Sequence, residues 1–298
     1  MNVDNILWGP ASVDRYIDHA HADGPQAVHY TALPGGGALN MAYHWSELGL
    51  PFHFLSRIGD DLPDLFNAFF RRHGIECSPS LVAHGPSASI DIRFGADRQP
   101  WMDNFVEGVW TGFHLTDAEE TLIRSARRLH MVLVDPVADE LDRLGDAGAL
   151  AHLDASGDFL DFRHFDVERF EGTMRWLNTA FIGWPGAIDD PIIAGVRDVV
   201  RRAKRLAVIT MGSRGVEIVD ARDEAAADRV ISVTAVDVQG TTVGCGDAFI
   251  AAFLAHWWRS DQTPRDLDAA VSAGAALGAA ATAWQRPLPD EAYARPSR

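Results

Sequence analysis

The segment Thr-Thr-Val-Gly-Cys-Gly-Asp-Ala-Phe at residues 241–249 gives the strongest indication of fold in this 298-residue chain. Aromatic side chains recur at every fourth position from 249 to 257, a spacing that predicts a helix beginning within the segment. Glycines at a helix N-terminus let backbone amides approach an anion closely, and the helix dipole favours negative charge there. The amides of Gly244, Cys245 and Gly246 therefore predict an anion site.

Asp247 follows these glycines at the predicted start of the helix. An aspartate there can act as an N-cap, a structural role worth about 1 kcal/mol. It can also act as the base that takes a proton from a hydroxyl group beside a bound phosphate. The motif alone leaves both roles open.

Two further glycine motifs occur in the chain. Gly35-Gly36-Gly37-Ala38-Leu39-Asn40 opens a second predicted helix, although a glycine triplet also suits an ordinary loop. Thr210-Met211-Gly212-Ser213-Arg214-Gly215 follows a predicted strand and suits either a nucleotide loop or a hairpin turn. Neither the P-loop pattern nor a dinucleotide-binding G-x-G-x-x-G at the first helix is present, so ordinary forms of both sites are excluded.

Apolar strand-like runs alternate with helix-like runs along the chain, which predicts an α/β fold with a mostly parallel sheet. The predicted strands lie at 5–8, 52–58, 129–134, 149–153, 179–182, 206–210 and 215–219. The predicted helices lie at 38–48, 62–73, 118–126, 189–202, 247–258 and 265–284. Two segments, at about 11–34 and 85–113, depart from this alternation and predict a small β-rich flap on a single domain spanning 1–298.

Composition excludes several classes of protein. Apolar residues make up 47% and charged residues 23% of the chain, as in ordinary globular proteins. The formal charge of −16 argues against binding to nucleic acid or to an anionic membrane surface. Two cysteines cannot build a disulfide scaffold, and the first residues lack the basic and apolar regions of a signal peptide, so we expect a cytoplasmic protein.

Taken together, the motifs resemble those of the ribokinase-like, or PfkB-type, carbohydrate kinases, in the same order and over nearly the whole chain. The matching elements are Gly9 and Asp14 for the family's G-x-x-x-x-D, 35–40 for its G-G-x-x-x-N, 59–61 for its G-D-D turn, 210–215 for its nucleotide loop and 244–247 for its anion hole and base.

The resemblance implies a three-layer α/β/α fold with a β lid over a sugar site. It also implies a transferase that uses ATP and Mg²⁺ to phosphorylate an alcohol group. By this resemblance Asp247 is the general base, and the amides of residues 244–246 stabilise charge on the transferred phosphate. The remaining implied roles are substrate binding by Asp14, Gly36 and Asn40, and nucleotide binding by Thr210, Gly212 and Gly215.

The chain departs from the family pattern at two sites that bind cations in the family. Thr241 stands where the family has an aspartate, which makes a requirement for a monovalent cation doubtful. The family's N-x-x-E motif, which organises Mg²⁺ through water, is missing in that form. Asp189 is the nearest counterpart and our candidate metal residue, although a carboxylate beside a helix N-terminus also suits a purely structural role.

The segment 103–110 and the placement of Pro185 resemble the bacterial fructoselysine kinases of this family. Those enzymes phosphorylate fructosamines, sugars linked to an amino acid, and an acidic, aromatic lid suits a cationic amine. Two alternatives remain: a nucleoside kinase of the same fold, and a non-catalytic protein that binds a sugar or a nucleotide. The expected partners are a small sugar, ATP and a second copy of the chain bound lid to lid.

Overall fold

The computed structural model describes residues 4–18, 29–95, 100–160, 166–223, 229–232, 237–259 and 265–293. The chain divides into two compact units. Unit one comprises Met1–Trp8 and His114–Val236, and unit two comprises Gly9–Phe113 and Asp237–Arg298.

Unit one contains a sheet in which seven strands follow one another. They are β1 (Asn5–Trp8), β9 (Arg128–Val132), β10 (Asp154–Asp158), β11 (Thr179–Gly183), β12 (Leu206–Thr210), β13 (Val216–Asp220) and β14 (Arg229–Ile231). The first five run parallel, while β13 and β14 are antiparallel to their neighbours. The prediction of a mostly parallel sheet is confirmed.

The helices of unit one are α3 (Asp117–Ser125), α4 (Asp135–Asp146), α5 (Val167–Met174) and α6 (Pro191–Ala203). Hydrogen bonds to capping side chains explain where two of these helices begin. Thr116 and Glu119 form a reciprocal capping box at α3. At α6 the side chain of Asp190 accepts a hydrogen bond from the Ile192 amide, and Pro191 takes the first helical position. The helix predicted from 189 thus begins two residues later.

The strand predicted at 149–153 is wrong, because the strand of this region is β10, at Asp154–Asp158. Leu150 and Leu153 are buried in the turns before it, so their apolar character reflects packing and not a strand. The sequence of β10 itself is mostly polar. Its polar groups are nevertheless buried with partners, as where Ser156 Oγ lies 2.9 Å from His130 Nδ1.

Unit two contains a separate small sheet with strand order β3-β2-β7-β8. Its strands are β2 (Ser12–Asp18), β3 (His29–Gly35), β7 (Ala88–Phe94) and β8 (Pro100–Val106). They fall in the two segments at about 11–34 and 85–113 that were predicted to form the β-rich flap. Residues 19–28 and 96–99 of those segments lie outside the described residues.

The other elements of unit two are mostly helical. The helices are α1 (Gly37–Glu47), α2 (Pro63–His73), α7 (Cys245–Arg259), α8 (Leu267–Ala281) and α9 (Asp290–Tyr293), and the short strands are β4 (His53–Leu55), β5 (Ile58–Gly59) and β6 (Val82–Ala83). Among the described residues, no helix combines the length and the apolar character needed to cross a membrane.

Packing between α1 and α7 fixes the positions of their first turns. The fully buried Trp45 donates a hydrogen bond from Nε1 to the carbonyl oxygen of Ala251 at 3.0 Å, and its ring lies 5.3 Å from that of Trp258. On the other side of α7, a Cβ atom at Gly274 of α8 would lie 2.9 Å from the Phe249 carbonyl oxygen, so α8 approaches α7 closely. These contacts hold the N-termini of α1 and α7 in a fixed relation.

Candidate active site

Asn40 and Asp247 meet where α1 and α7 begin. The side-chain amide of Asn40 donates a hydrogen bond to Asp247 Oδ2 at 2.8 Å. These two residues are 207 positions apart in the chain, so the contact depends on the helix packing described above. It orients the Asp247 carboxylate and leaves its second oxygen available for a ligand.

The small sheet supplies a second carboxylate, from Asp14 on β2. Asp14 is buried, and its Oδ1 accepts a hydrogen bond of 2.9 Å from the hydroxyl of Ser12. Gly35, at the end of β3, leaves the space that this carboxylate fills, because a Cβ atom there would lie 2.1 Å from Asp14 Oδ2. Gly36 follows with φ +94° and caps α1.

Both carboxylates have a raised pKa. Burial raises the pKa of Asp14 to about 7, and the negative charge of Asp247 adds to this effect, while the Ser12 hydrogen bond opposes it. Burial likewise raises the pKa of Asp247 to about 6, against the lowering effect of the hydrogen bond from Asn40. Such an arrangement attracts positive charge and hydrogen-bond donors, and it makes Asp247 a stronger base than an ordinary aspartate.

One further polar atom of this site has no partner. Asn40 Oδ1 is buried and makes no hydrogen bond with any described residue. A buried acceptor left without a partner costs about 1–3 kcal/mol, which a ligand hydroxyl can recover. The side chains of Asp14, Asn40 and Asp247 therefore present mainly acceptor atoms to a ligand.

The first turn of α7 contains the residues of the predicted anion loop, whose role stays a prediction. Gly244 has φ +79° and lies so close to Pro287 that a Cβ atom would come within 2.8 Å of its Cα. The Cys245 amide donates to the Thr242 carbonyl at 3.3 Å, so it is already engaged within the loop. The amides of Gly246 and Asp247 lie in the first helical turn, where no intrahelical acceptor exists, and a Cβ atom at Gly246 would face open space.

Cys245 and Thr241 complete this loop in structural roles. Burial raises the pKa of the Cys245 thiol to about 12, and the charge of Asp247 adds to the effect, so the thiol stays protonated and unreactive. The hydroxyl oxygen of the buried Thr241 accepts a hydrogen bond from the Val243 amide at 3.1 Å. That hydroxyl is occupied in stabilising the loop, and it is a poor replacement for a cation-binding carboxylate.

The other predicted residues lie in unit one. Thr210 ends β12, and the glycines that follow have the positive φ values of a tight turn, +59° at Gly212 and +106° at Gly215. Arg214 donates hydrogen bonds to the carbonyl oxygens of Trp184 and Pro185, at 3.1 and 3.0 Å. This ties the turn to the segment that leads to α6, and the role of the turn in nucleotide binding stays a prediction.

Asp189 lies exposed in the turn before α6. Among the described residues, no group of three or more histidine, cysteine, aspartate or glutamate side chains lies close enough to hold a metal ion. A requirement for Mg²⁺ stays a prediction. The role of Asp189 stays a prediction.

Two residues beside Asp14 were not predicted from the sequence: Ser12 and Tyr16. Ser12, Asp14 and Tyr16 alternate along β2 and so share one face of the small sheet, and Gly35 pairs with Ser12 on the neighbouring strand. The alternation could have indicated Ser12 and Tyr16. The pairing of β2 with β3 was not predicted either, although the turn signal Asp23-Gly24-Pro25 lies between the two strands in the sequence.

Comparison with known proteins agrees with the motifs. Residues 185–286 match the family described as pfkB family carbohydrate kinase. A fructoselysine 6-kinase from Escherichia coli (strain K12) is 24% identical over 249 residues, which cover 83% of this chain and 89% of that protein.

Solved structures agree in fold. The adenosine kinase from Sinorhizobium meliloti has a TM-score of 0.77 and 20% identity, covering 97% of this chain and 96% of its own. The Arabidopsis thaliana ribokinase, solved with ribose and ATP, has a TM-score of 0.74 and 16% identity, covering 98% of both chains. The predicted α/β class and the resemblance to carbohydrate kinases are thus confirmed: the chain has the ribokinase-like fold, and its residues 185–286 match the pfkB family of carbohydrate kinases.

Proposed function

We propose that this protein transfers the γ-phosphate of ATP to a hydroxyl group of a fructosamine, a sugar linked through nitrogen to an amino acid. The observation that carries the phosphotransfer is the hydrogen bond between Asn40 and Asp247 at the start of α7. It places an oriented carboxylate of raised pKa beside the helix N-terminus, where backbone amides favour negative charge.

In this proposal Asp247 takes the proton of the attacking hydroxyl as the new oxygen–phosphorus bond forms and the bond to the ADP oxygen breaks. With a pKa of about 6, the carboxylate is mostly ionised at neutral pH and still accepts a proton more readily than an ordinary aspartate. Asn40 keeps the carboxylate aimed at the hydroxyl. The amides of Gly246 and Asp247 and the dipole of α7 stabilise the charge that develops on the phosphoryl oxygens.

Magnesium-bound ATP would supply the phosphoryl group and neutralise part of its charge. Thr210, Gly212 and Gly215 are the proposed nucleotide residues, with Gly244, Cys245 and Gly246 as the anion loop. Because the Cys245 amide is engaged by Thr242, we assign it the smallest share of the anion contacts. The Thr241 hydroxyl is bonded within its own loop, and we therefore propose no requirement for a monovalent cation.

The choice of a fructosamine rests on charge and on similarity. Asp14 and Asp247 place two carboxylates at the site, and these favour an acceptor with a protonated amine next to its hydroxyl groups. The similarity to a fructoselysine 6-kinase points to the same substrate class. Asp14 and Asn40 are the proposed ligands of the sugar hydroxyls, while Gly36 allows the sugar to approach the backbone.

The predicted dimer through the small sheet also stays a proposal. Trp101 and Phe105 on β8 are 69% and 53% exposed, which is unusual for large apolar side chains. Burial of these two side chains against a second copy of the sheet would explain their exposure in one chain. Sedimentation of the wild type and of a Trp101→Ser, Phe105→Ser double variant tests this directly, since only the wild type is expected to dimerise.

The function is tested by measuring ADP formation with a panel of acceptors. The panel comprises ribose, fructose, fructose phosphates, fructoselysine, other fructosamines, and adenosine as a representative nucleoside. We expect turnover with fructosamines, at a kcat/KM at least tenfold above that with any neutral sugar. Preference for adenosine would support the nucleoside-kinase alternative, and ligand-induced thermal shifts without any turnover would support a binding protein.

A further inference from the structure

A group of side chains extends from Asp14 along the same face of the small sheet towards the segment before α9. Tyr16 lies two residues beyond Asp14 on β2, and the guanidinium carbon of Arg286 lies 5.8 Å from the centre of its ring. Arg286 in turn pairs with Asp290, with 2.5 Å between Nη1 and Oδ1. All four residues belong to unit two.

The Tyr16 hydroxyl is a buried polar group without a partner among the described residues. Burial raises the pKa of Tyr16 far above its usual value, and the charge of Asp14 adds to the effect while Arg286 opposes it, so the hydroxyl stays neutral. Like Asn40 Oδ1, it is a buried polar atom that makes no hydrogen bond with the residues that the structure describes.

Arg286 and Asp290 differ from an isolated surface ion pair because Arg286 lies beside the Tyr16 ring. Arg286 is about one-third exposed, and Asp290 accounts for all the hydrogen bonds it makes with described residues. Its other guanidinium N–H groups can therefore donate to a ligand. A carboxylate is the ligand that a guanidinium fits best, and a neighbouring aspartate can hold an ammonium group.

We propose that Tyr16, Arg286 and Asp290 form a distal subsite that binds the zwitterionic α-amino-acid end of the acceptor. Arg286 binds the carboxylate and Asp290 binds the ammonium group. The Tyr16 hydroxyl accepts a hydrogen bond from the secondary ammonium group that joins the amino-acid chain to the sugar. The inference rests on the proposed function, because it concerns the amino acid attached to the sugar.

Dimensions support this assignment. Residues two apart on a strand are separated by about 6.6 Å, so Tyr16 lies roughly that far from Asp14. The guanidinium carbon of Arg286 lies 5.8 Å from the centre of the Tyr16 ring. A lysine side chain of four methylene groups spans a similar length between its two nitrogen-bearing ends. A lysine chain that extends along β2 from a sugar at Asp14 would thus reach Tyr16, the residue that Arg286 contacts. The charges also balance, since a neutral ion pair faces a neutral zwitterion.

The test compares three acceptors that share one sugar: fructoselysine, its Nα-acetyl derivative, and fructose linked to n-butylamine, which has no zwitterion. Arg286→Gln is expected to raise the KM for fructoselysine by roughly 5- to 30-fold, to leave kcat within about threefold, and to leave the KM for the butylamine conjugate unchanged. Asp290→Asn is expected to raise the KM for fructoselysine but not that for the acetylated derivative.

Two controls separate a ligand role from a structural one. Arg222→Gln removes a comparable exposed ion pair, with Asp220 in unit one, and should change none of the three KM values. Tyr16→Phe keeps the ring and removes only the hydroxyl, so we expect a several-fold higher KM for every fructosamine without a fall in the melting temperature.

Equal KM values for fructoselysine and the butylamine conjugate, unaffected by Arg286→Gln, would overturn the subsite while leaving the proposed function intact. A lower melting temperature in Tyr16→Phe with unchanged KM values would also overturn it, because the hydroxyl would then be structural. Absence of phosphorylation of all three acceptors would instead reject the fructosamine function itself.

Discussion

Replacement of Asp14 by asparagine is expected to stabilise the folded protein at pH 8. The carboxylate is 4% exposed, and its pKa rises from 3.8 to about 7 through burial and the charge of Asp247. At pH 8 the folded protein must hold it ionised. A rise in pKa of about three units lowers the free energy of unfolding at pH 8 by at most roughly 4 kcal/mol.

The sign of the pH dependence follows from proton binding. Between about pH 4 and pH 7 the folded protein holds more protons at Asp14 than the unfolded chain, so its contribution to stability falls as the pH rises through this range. The asparagine amide carries no such proton and can still accept the hydrogen bond from Ser12. The gain in the free energy of unfolding should therefore be largest at pH 8 and decrease by roughly 1.4 kcal/mol per unit below pH 7.

Urea unfolding of the wild type and of Asp14→Asn at pH 5.0, 6.5 and 8.0 measures this difference. Asp139→Asn is a suitable control, because Asp139 is exposed on α4. We expect the advantage of Asp14→Asn to be about 2–3 kcal/mol larger at pH 8.0 than at pH 5.0, with no such trend in the control. A difference independent of pH, or a variant that is less stable at pH 8.0, would refute the reasoning.

Two further changes test other contacts of the site. Asn40→Leu removes the hydrogen bond that lowers the pKa of Asp247. The acidic limb of the kcat/KM profile against pH should therefore move to higher pH by about one unit. An acidic limb that does not move would show that Asn40 does not tune the pKa of the base. Gly35→Ala places a Cβ atom against the Asp14 carboxylate and should lower the free energy of unfolding by about 2 kcal/mol or more. The control is Gly172→Ala in α5, where a Cβ atom would meet open space. It should leave the melting temperature nearly unchanged or raise it.

The parallel sheet could be predicted where strands are short apolar runs, as at 5–8 and 206–210. It could not be predicted at β10, where the buried strand is polar because each polar group finds a partner. Periodicity indicated α1, α2 and α7 to within about two residues at each end, while α4 was not predicted at all. The apolar pattern of the sequence thus predicts the helices and strands that bury apolar side chains of their own.

The same distinction applies to the candidate site. Asp14, Asn40 and Asp247 could be singled out because each lies in a glycine motif at the start of a strand or helix. Arg286 could not, because it meets Tyr16 only through the placement of the small sheet relative to the segment before α9, a contact between residues 270 positions apart. Contacts of that kind depend on tertiary packing, which the residues themselves do not reveal.

The central claim is that Asp247 is the base of a phosphoryl transfer, and the most direct measurement is the kcat of Asp247→Asn with the preferred acceptor. The asparagine retains the size of the side chain but cannot take the proton. We predict a fall in kcat of at least about 10³-fold, with ATP affinity and melting temperature close to those of the wild type. A kcat within tenfold of the wild-type value would contradict the assignment and leave Asp247 as an acidic residue in the first turn of α7, favourable to the helix dipole.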